Sequence, residues 1–252
     1  MADSYRTLAS DYDWLWDDDG LTHGGAINRP ATARLLRQAR RPGAVLDAAC
    51  GTGINAAALA RQGLRVRATD GSAAMVHAAA DRFRREQLHI AASRCLWADL
   101  PVSLGEQFDV VLCIGNSLVH AAGADAMVQA LDGLRQVTRP GGHVVVDSRN
   151  WEKLHAGRQI VQVADRSVTR DGVRCVSLYA WEIPDHLEDE HTAHITFIFD
   201  HGGRLETREY PVSFRPFTRE TLRERLALAG LRELDTDFDP ADDRYAIVAT
   251  PA

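Results

Sequence analysis

Five short apolar runs separated by helix-like stretches constrain this chain more than any other feature. Ala44-Val45-Leu46-Asp47, Val66 to Asp70, a run ending near Trp97-Ala98-Asp99, Phe108 to Ile114, and Val144-Val145-Val146-Asp147 each read as a strand. Helical segments fall at 31–39 (stopping at Arg41-Pro42-Gly43), in the AAALARQ stretch after Gly53, from Ser72 to about Arg85, and at 124–137. Strands that are nearly all apolar are buried on both faces, so the alternation predicts a parallel sheet covered by helices on either side. After about residue 157 the rhythm changes. Segments 160–168, 173–183, 191–200 and 204–214 alternate with period two, with turns at Asp171-Gly172 and His201-Gly202-Gly203. That is an antiparallel insertion. A helix over 218–229 and a last strand from Arg244 to Ala249 complete the α/β core.

Composition narrows the class. The chain has 252 residues, 45% hydrophobic and 25% charged, which suits one large globular domain. Its net charge of −6 disfavours a general polyphosphate binder, so no nucleic-acid partner is expected. All but one of the 29 basic residues are arginine, Lys153 being the exception. Cys50, Cys95, Cys113 and Cys175 are scattered without zinc spacing, and mostly lie in apolar runs where a reduced thiol acts as a small hydrophobe. The MADSYRTLASDYDW start lacks a basic region followed by an apolar one, and no stretch approaches the ~20 apolar residues of a membrane span. A cytoplasmic protein with no membrane partner is the expectation. His186, His191, His194 and His201 superficially suggest a metal site. In a strand, however, His191 and His194 point to opposite faces, so no metal is expected.

VLDAACGTG at 45–53 is the most informative segment. Small residues between a strand and a helix let the backbone approach a ligand, and the helix start offers free N–H groups. Asp70 ends the next strand, where a carboxylate can grip ribose hydroxyls. Gly51-Thr-Gly53-Ile-Asn-Ala56 also nearly satisfies the dinucleotide fingerprint, so a phosphate-binding Rossmann domain is the rival reading.

Asp47 closing the first strand, Ala49-Cys-Gly51-Thr-Gly53, Asp70, Asp99 and the RPGG stretch before the fifth strand together resemble class I S-adenosylmethionine-dependent methyltransferases. The resemblance covers about residues 5–156 and 210–250. It implies a Rossmann-like, mostly parallel seven-stranded sheet, with a core of 1–156 and 214–252 and an antiparallel substrate lid at 157–213. It also implies S-adenosylmethionine as cofactor. The loop of Asp47, Ala49, Gly51 and Gly53 would pass beneath the methionine moiety, and Asp70 would bind the ribose. Trp97, Ala98 and Asp99 would face the adenine, Met75 would pack on it, and Ile114 would line the site. Arg29 is the candidate partner for the cofactor carboxylate.

Two segments narrow the resemblance. Ile114-Gly115-Asn116-Ser117-Leu118-Val119-His120 and Asp147-Ser148-Arg149-Asn150-Trp151 look like the GNS-x-x-H and D-x-RN-aromatic segments of glycine and sarcosine N-methyltransferases. The resemblance implies a small-molecule amine or amino acid as methyl acceptor, with Asn116 and Arg149 facing it. The residue types suit that role. Arginine forms a planar clamp on a carboxylate, an amide oxygen can orient an amine N–H, and in-line methyl transfer is chiefly a positioning problem. His120 reads as a general base, a donor to the cofactor carboxylate, or a structural histidine. Tyr5 and Trp14 are spaced like two aromatics near the cofactor, or belong to an N-terminal helix packed on the domain. Glu209-Tyr210-Pro211 stands where the family has paired tyrosines, which leaves the acceptor open between amino acids, amino sugars and natural-product amines. Nucleic-acid enzymes of this class often carry (N/D)PP(Y/F) after the fourth strand, and this chain does not. An O- or C-methyltransferase and a non-catalytic cofactor binder are the competing functions, and self-association through the inserted sheet is expected.

Overall fold

The structure is a computed structural model that describes residues 5–38 and 43–252, so the expected helix stop at Arg41-Pro42 lies outside the described residues. Short helical turns open the chain at α1 (Tyr5–Leu8), Tyr12–Leu15, α2 (Asp18–His23) and Ala26–Asn28, followed by α3 (Pro30–Gln38). The core then alternates as expected through β1 (Val45–Asp47), α4 (Ile54–Arg61), β2 (Val66–Asp70), α5 (Ala73–Arg85) and β3 (Ala91–Arg94). It continues with α6 (Leu100–Leu104), β4 (Phe108–Cys113), α7 (Ala124–Gln136), β5 (Thr138–Arg149) and α8 (Trp151–Gly157). Ser72 caps α5 by accepting the Met75 N–H, and Asn150 caps α8 through the Lys153 N–H.

The insertion comprises β6 (Val161–Val163), β7 (Val168–Arg170), β8 (Val173–Glu182), β9 (His191–Asp200) and β10 (Leu205–Phe214). The chain ends with α9 (Arg219–Leu228), β11 (Leu231–Thr236) and β12 (Arg244–Pro251). The seven-stranded sheet runs β11-β12-β5-β4-β1-β2-β3, with β1 to β5 parallel and β12 antiparallel to β5. Strand order reverses between β1 and β4, which opens a crevice at their carboxyl ends. Val45 and Leu46 are fully buried between two apolar layers. One is built on Leu35, Leu59 and Phe83. The other runs through Leu131 and Leu134 into the insertion at Trp181, Phe197 and Phe214.

Three boundaries differ from the sequence expectation. The third strand stops at Arg94, and Trp97–Asp99 form a 3₁₀ turn on which α7 sits so closely that a Cβ on Gly133 would lie 2.0 Å from the Trp97 carbonyl oxygen. The RPGG stretch is a bulge inside β5 and not a turn before it. Phe108 pairs with Thr138 but Val110 pairs with His143, so the extra residues loop out around Gly141 at φ +75. The strand expected over 160–168 is instead two short ones, at 161–163 and 168–170, that both pair with β8.

The inserted sheet, ordered β10-β9-β8-β6, stands over the carboxyl ends of β4 and β5. On β9 the residues His191, Ala193, Ile195, Phe197 and Phe199 are all buried on one face, the period-two pattern of a sheet covered on one side. Arg215 N–H donates to the Val119 carbonyl and ties β10 to the turn after β4.

Candidate active site

The glycine loop after β1 is shaped by two left-handed residues, Gly51 at φ +53 and Gly53 at φ +84. A Cβ on Gly53 would lie 2.7 Å from the Phe83 ring, so this glycine lets α5 pack under the loop. At Gly51 the missing Cβ would meet only Tyr12, 3.9 Å away, which leaves room for a ligand beside bare backbone. Asp70 fixes the loop from below, its carboxylate accepting the Gly51 N–H at 2.8 Å and the Ser72 N–H at 2.9 Å.

Asp47 is fully buried. One of its oxygens accepts the Ala49 N–H at 3.4 Å, and Oδ2 has no hydrogen-bond partner among the described residues. Burial pushes its pKa up to about 7, opposed by the Ala49 and Ala56 N–H groups and reinforced by the negative Asp70. Met75 and Ile114 are buried beside the loop, Ala49 and Trp97 are half-buried, and Ala98 and Asp99 are exposed on the rim. The Trp97 indole donates to the Ala48 carbonyl at 2.8 Å. Leu96, 58% exposed near Gly71, offers an apolar surface that the sequence reading did not single out.

A polar latch holds the N-terminal segment on this loop. The Asp13 carboxylate accepts from Thr52 Oγ1 and from Arg82 Nη2, both at 2.6 Å, while Arg82 Nε donates to the Thr52 carbonyl. Arg82 is 4% exposed. From the other side, Arg170 of β7 donates to the Asp13 and Trp16 carbonyls and lies over the Trp14 ring.

A cleft of about 300 Å³ opens where the N-terminal segment, the ends of β4 and β5, and the inserted sheet meet. Tyr5, Tyr12 and Arg29 line it from the N-terminal side, and Tyr179, Ile195 and Phe214 from the insertion. Its floor is a clasp between two strand ends. Asn116, held at φ +62, donates its backbone N–H to Asp147 Oδ1 at 2.6 Å and accepts the Arg149 backbone N–H on its side-chain oxygen at 2.9 Å. That oxygen was expected to orient an amine N–H; the structure commits one of its lone pairs to Arg149 and leaves the amide NH₂ as the donor end.

Asp147 is 1% exposed, and its Oδ2 lies 3.5 Å from Arg29 Nε with no hydrogen bond. Burial raises its pKa, and Arg244 and Arg29 oppose the rise. The Arg149 guanidinium sits 5.3 Å from the ring centroids of both Tyr179 and Trp181. Burial and then the neighbouring Arg244 bring its pKa down to about 10. A second groove, of about 480 Å³, lies at the opposite end of the sheet between Gln107, Arg135 and Pro140, remote from these groups.

The structure therefore brings Tyr5, Arg29, Asn116 and Arg149 into one cleft beside the Asp47–Asp70 loop. Trp14 instead packs edge-on against Phe199 of β9, and Tyr12 takes the second aromatic position in the cleft. His120 donates from Nδ1 to the Ser213 carbonyl and accepts the Tyr5 hydroxyl on Nε2 at 2.8 Å, so both ring nitrogens are engaged. Burial lowers its pKa to about 4, and the ring is neutral. Glu209 is exposed and pairs with His194, outside the cleft. Tyr210 donates to the buried Asp11. Arg244 and Tyr12 are cleft residues that sequence reasoning missed, and Asp147, quoted only within its segment, is a third to which it gave no role.

The open seven-stranded sheet, reversing between β1 and β4 and with β12 antiparallel to β5, has the Rossmann-like fold of solved S-adenosylmethionine-dependent methyltransferases. Residues 45–142 match the family model described as "Methyltransferase domain". It is 34% identical over 121 residues to the glycine N-methyltransferase of Rattus norvegicus, covering 44% of this chain and 41% of that enzyme. Identity to the glycine/sarcosine N-methyltransferase of Parasynechococcus marenigrum is 28%, covering 72% and 61%. The match thus spans less than two thirds of those relatives' own length. Among solved structures, the CcbJ methyltransferase of Streptomyces caelestis superposes with a TM-score of 0.76 at 21% identity, over 99% of this chain and 98% of that one. CalS10, an amino pentose methyltransferase from Micromonospora echinaspora, gives 0.69 at 16%, over 100% and 93%. Among the described residues no helix is long and apolar enough to cross a membrane.

Proposed function

We propose that this protein transfers a methyl group from S-adenosylmethionine to the amine of a small molecule, of the glycine or sarcosine type. The observation that carries the reading is the cleft lined by Asn116 and Arg149, at the ends of β4 and β5, whose Tyr12 wall meets the Gly51 backbone of the Asp47–Asp70 loop. The residues fit the cofactor. The buried, unpartnered Asp47 oxygen suits an ammonium, the open side of Gly51 admits a ligand against the backbone, and Asp70 is pre-oriented for a diol. Arg29 is the cation for its carboxylate, and Met75, Leu96 and the 97–99 turn are the adenine side. When bound, S-adenosylmethionine supplies an electrophilic sulfonium methyl group.

The protein's own task is positioning. Arg149, fixed between two aromatic rings, holds an acidic group of the acceptor. The Asp147 carboxylate accepts an amine N–H, and the inserted sheet excludes water through Ile195 and Phe214. His120, neutral and doubly hydrogen-bonded, orients Tyr5 in the cleft wall and takes no proton in this reading. An amino-sugar or natural-product amine is the second reading. It is favoured by the likeness to CalS10 across the whole chain, insertion included. Incubation with methyl-labelled S-adenosylmethionine and a panel of amino acids, amino sugars and phenols tests both. Label in an amino acid supports the first reading and label in an amino sugar the second. Label only in phenols, or nowhere, refutes N-methyl transfer.

A further inference from the structure

Arg149 and Arg244 are directly opposed residues of the antiparallel β5–β12 ladder, and both line the cleft. Directly opposed side chains on a ladder start only ~5 Å apart, and like charges there are destabilising. The buried Asp147 offsets Arg244, and Asp243 offsets Arg149, only from beyond ion-pair distance. Among the described residues neither guanidinium forms an ion pair. Arg149 donates a long hydrogen bond of 3.4 Å to the neutral Gln162, and the Tyr179 hydroxyl also favours its charge.

The other carboxylates in reach are engaged elsewhere: Asp243 pairs with Lys153 at 2.7 Å, and Asp237 accepts the Ala31 and Ala246 N–H groups. Asp147, with one oxygen unpartnered 3.5 Å from Arg29, is a single carboxylate facing both Arg29 and Arg244. Arg149 lies against the rings of Tyr179 and Trp181, which keep its guanidinium on the cleft side. Two half-buried cations kept side by side at the mouth of a cleft form a receptor for negative charge greater than one carboxylate supplies.

We propose that Arg149 and Arg244 together bind a doubly charged acidic group of the methyl acceptor, a phosphate or a second carboxylate, so that Arg244 selects dianionic over monoanionic acceptors. This deepens the reading of the cleft as the acceptor site and rests on it. A single arginine would suffice for glycine itself. The second one points to an acceptor amine that carries a phosphate ester or two carboxylates.

Calorimetric titration of the full chain with acetate, malonate and inorganic phosphate, with and without saturating S-adenosylhomocysteine, tests the pair. Malonate or phosphate should bind about tenfold or more tighter than acetate, and whichever of the two prevails names the acidic group. Arg244→Gln should erase that preference, Arg244→Lys should restore part of it, and S-adenosylhomocysteine affinity should be unchanged in both. Equal affinity of the wild-type chain for all three anions would overturn the proposal without any variant having to fold. So would a preference that survives Arg244→Gln, or a loss of S-adenosylhomocysteine binding in that variant, which would assign Arg244 to the cofactor carboxylate. A chain that selects the dianion but binds no S-adenosylhomocysteine would refute the methyl-transfer reading and leave the two-arginine receptor standing.

Discussion

Replacing Asp47 with asparagine should stabilise the ligand-free protein at neutral pH while weakening cofactor binding. The carboxylate is fully buried with one oxygen unpartnered, and its folded-state pKa of about 7 stands well above the usual 3.8. For a group shifted upward, the native state keeps a proton that the unfolded chain has lost, so stability falls as pH rises between those two values. The slope is at most about 1.4 kcal/mol per pH unit, which caps the cost near roughly 4 kcal/mol above pH 7. Asparagine retains an oxygen for the Ala49 N–H and carries no charge. Urea unfolding without ligand should therefore show the variant gaining on wild type by roughly 2–3 kcal/mol between about pH 5 and 7.5. S-adenosylhomocysteine should bind the variant about tenfold or more weakly, because the ammonium loses its counter-ion. A gap between the two proteins that stays constant with pH would refute the idea that Asp47 is an uncompensated charge awaiting a cation.

Three other changes probe separate parts of the account. Arg149→Met should leave unfolding stability unchanged or slightly raised, since a desolvated cation without a carboxylate is removed, yet cost roughly 10- to 200-fold in kcat/KM for an acidic acceptor. Asp13→Ala should destabilise the protein by roughly 2–4 kcal/mol in denaturant titration, because it strips the buried Arg82 of its shorter ion pair at 2.6 Å and leaves Glu86 at 3.4 Å. The kcat/KM profile should show no limb near the ordinary histidine pKa that disappears in His120→Gln, because His120 is neutral down to about pH 4. A limb that does disappear would make it a base.

The parts of the fold legible in the sequence were those set by local patterning. Val45–Leu46 and Val110–Cys113 are apolar runs whose burial needs no partner to be guessed, and Asp47, Gly51 and Asp70 sit at fixed offsets from strand ends. Arg29, Asn116 and Arg149 were named from segments far apart in the chain, and the pairing of β4 with β5 and the folding of the N-terminal segment over their ends bring them together. What stayed hidden depended on pairing. Arg82 reads as one more arginine in DRFRR, and only the contact with Asp13 buries it. Arg244 follows an acidic loop and acquires meaning only through its register opposite Arg149. Trp14 and Tyr12 are two residues apart in a 3₁₀ turn, and which one faces the cleft is decided by Phe199 taking Trp14. The RPGG stretch has the residues of a turn, but the hydrogen bonds of β4 carry it into the sheet as a bulge.

Binding of S-adenosylhomocysteine by calorimetry, alongside NAD and with Asp70→Ala as the control, tests the central claim most directly. The account predicts one site per chain for S-adenosylhomocysteine, a binding loss of about tenfold or more in Asp70→Ala, and no heat with NAD. Binding of NAD with no response to S-adenosylhomocysteine would contradict it, returning the Gly51–Gly53 loop to the dinucleotide reading.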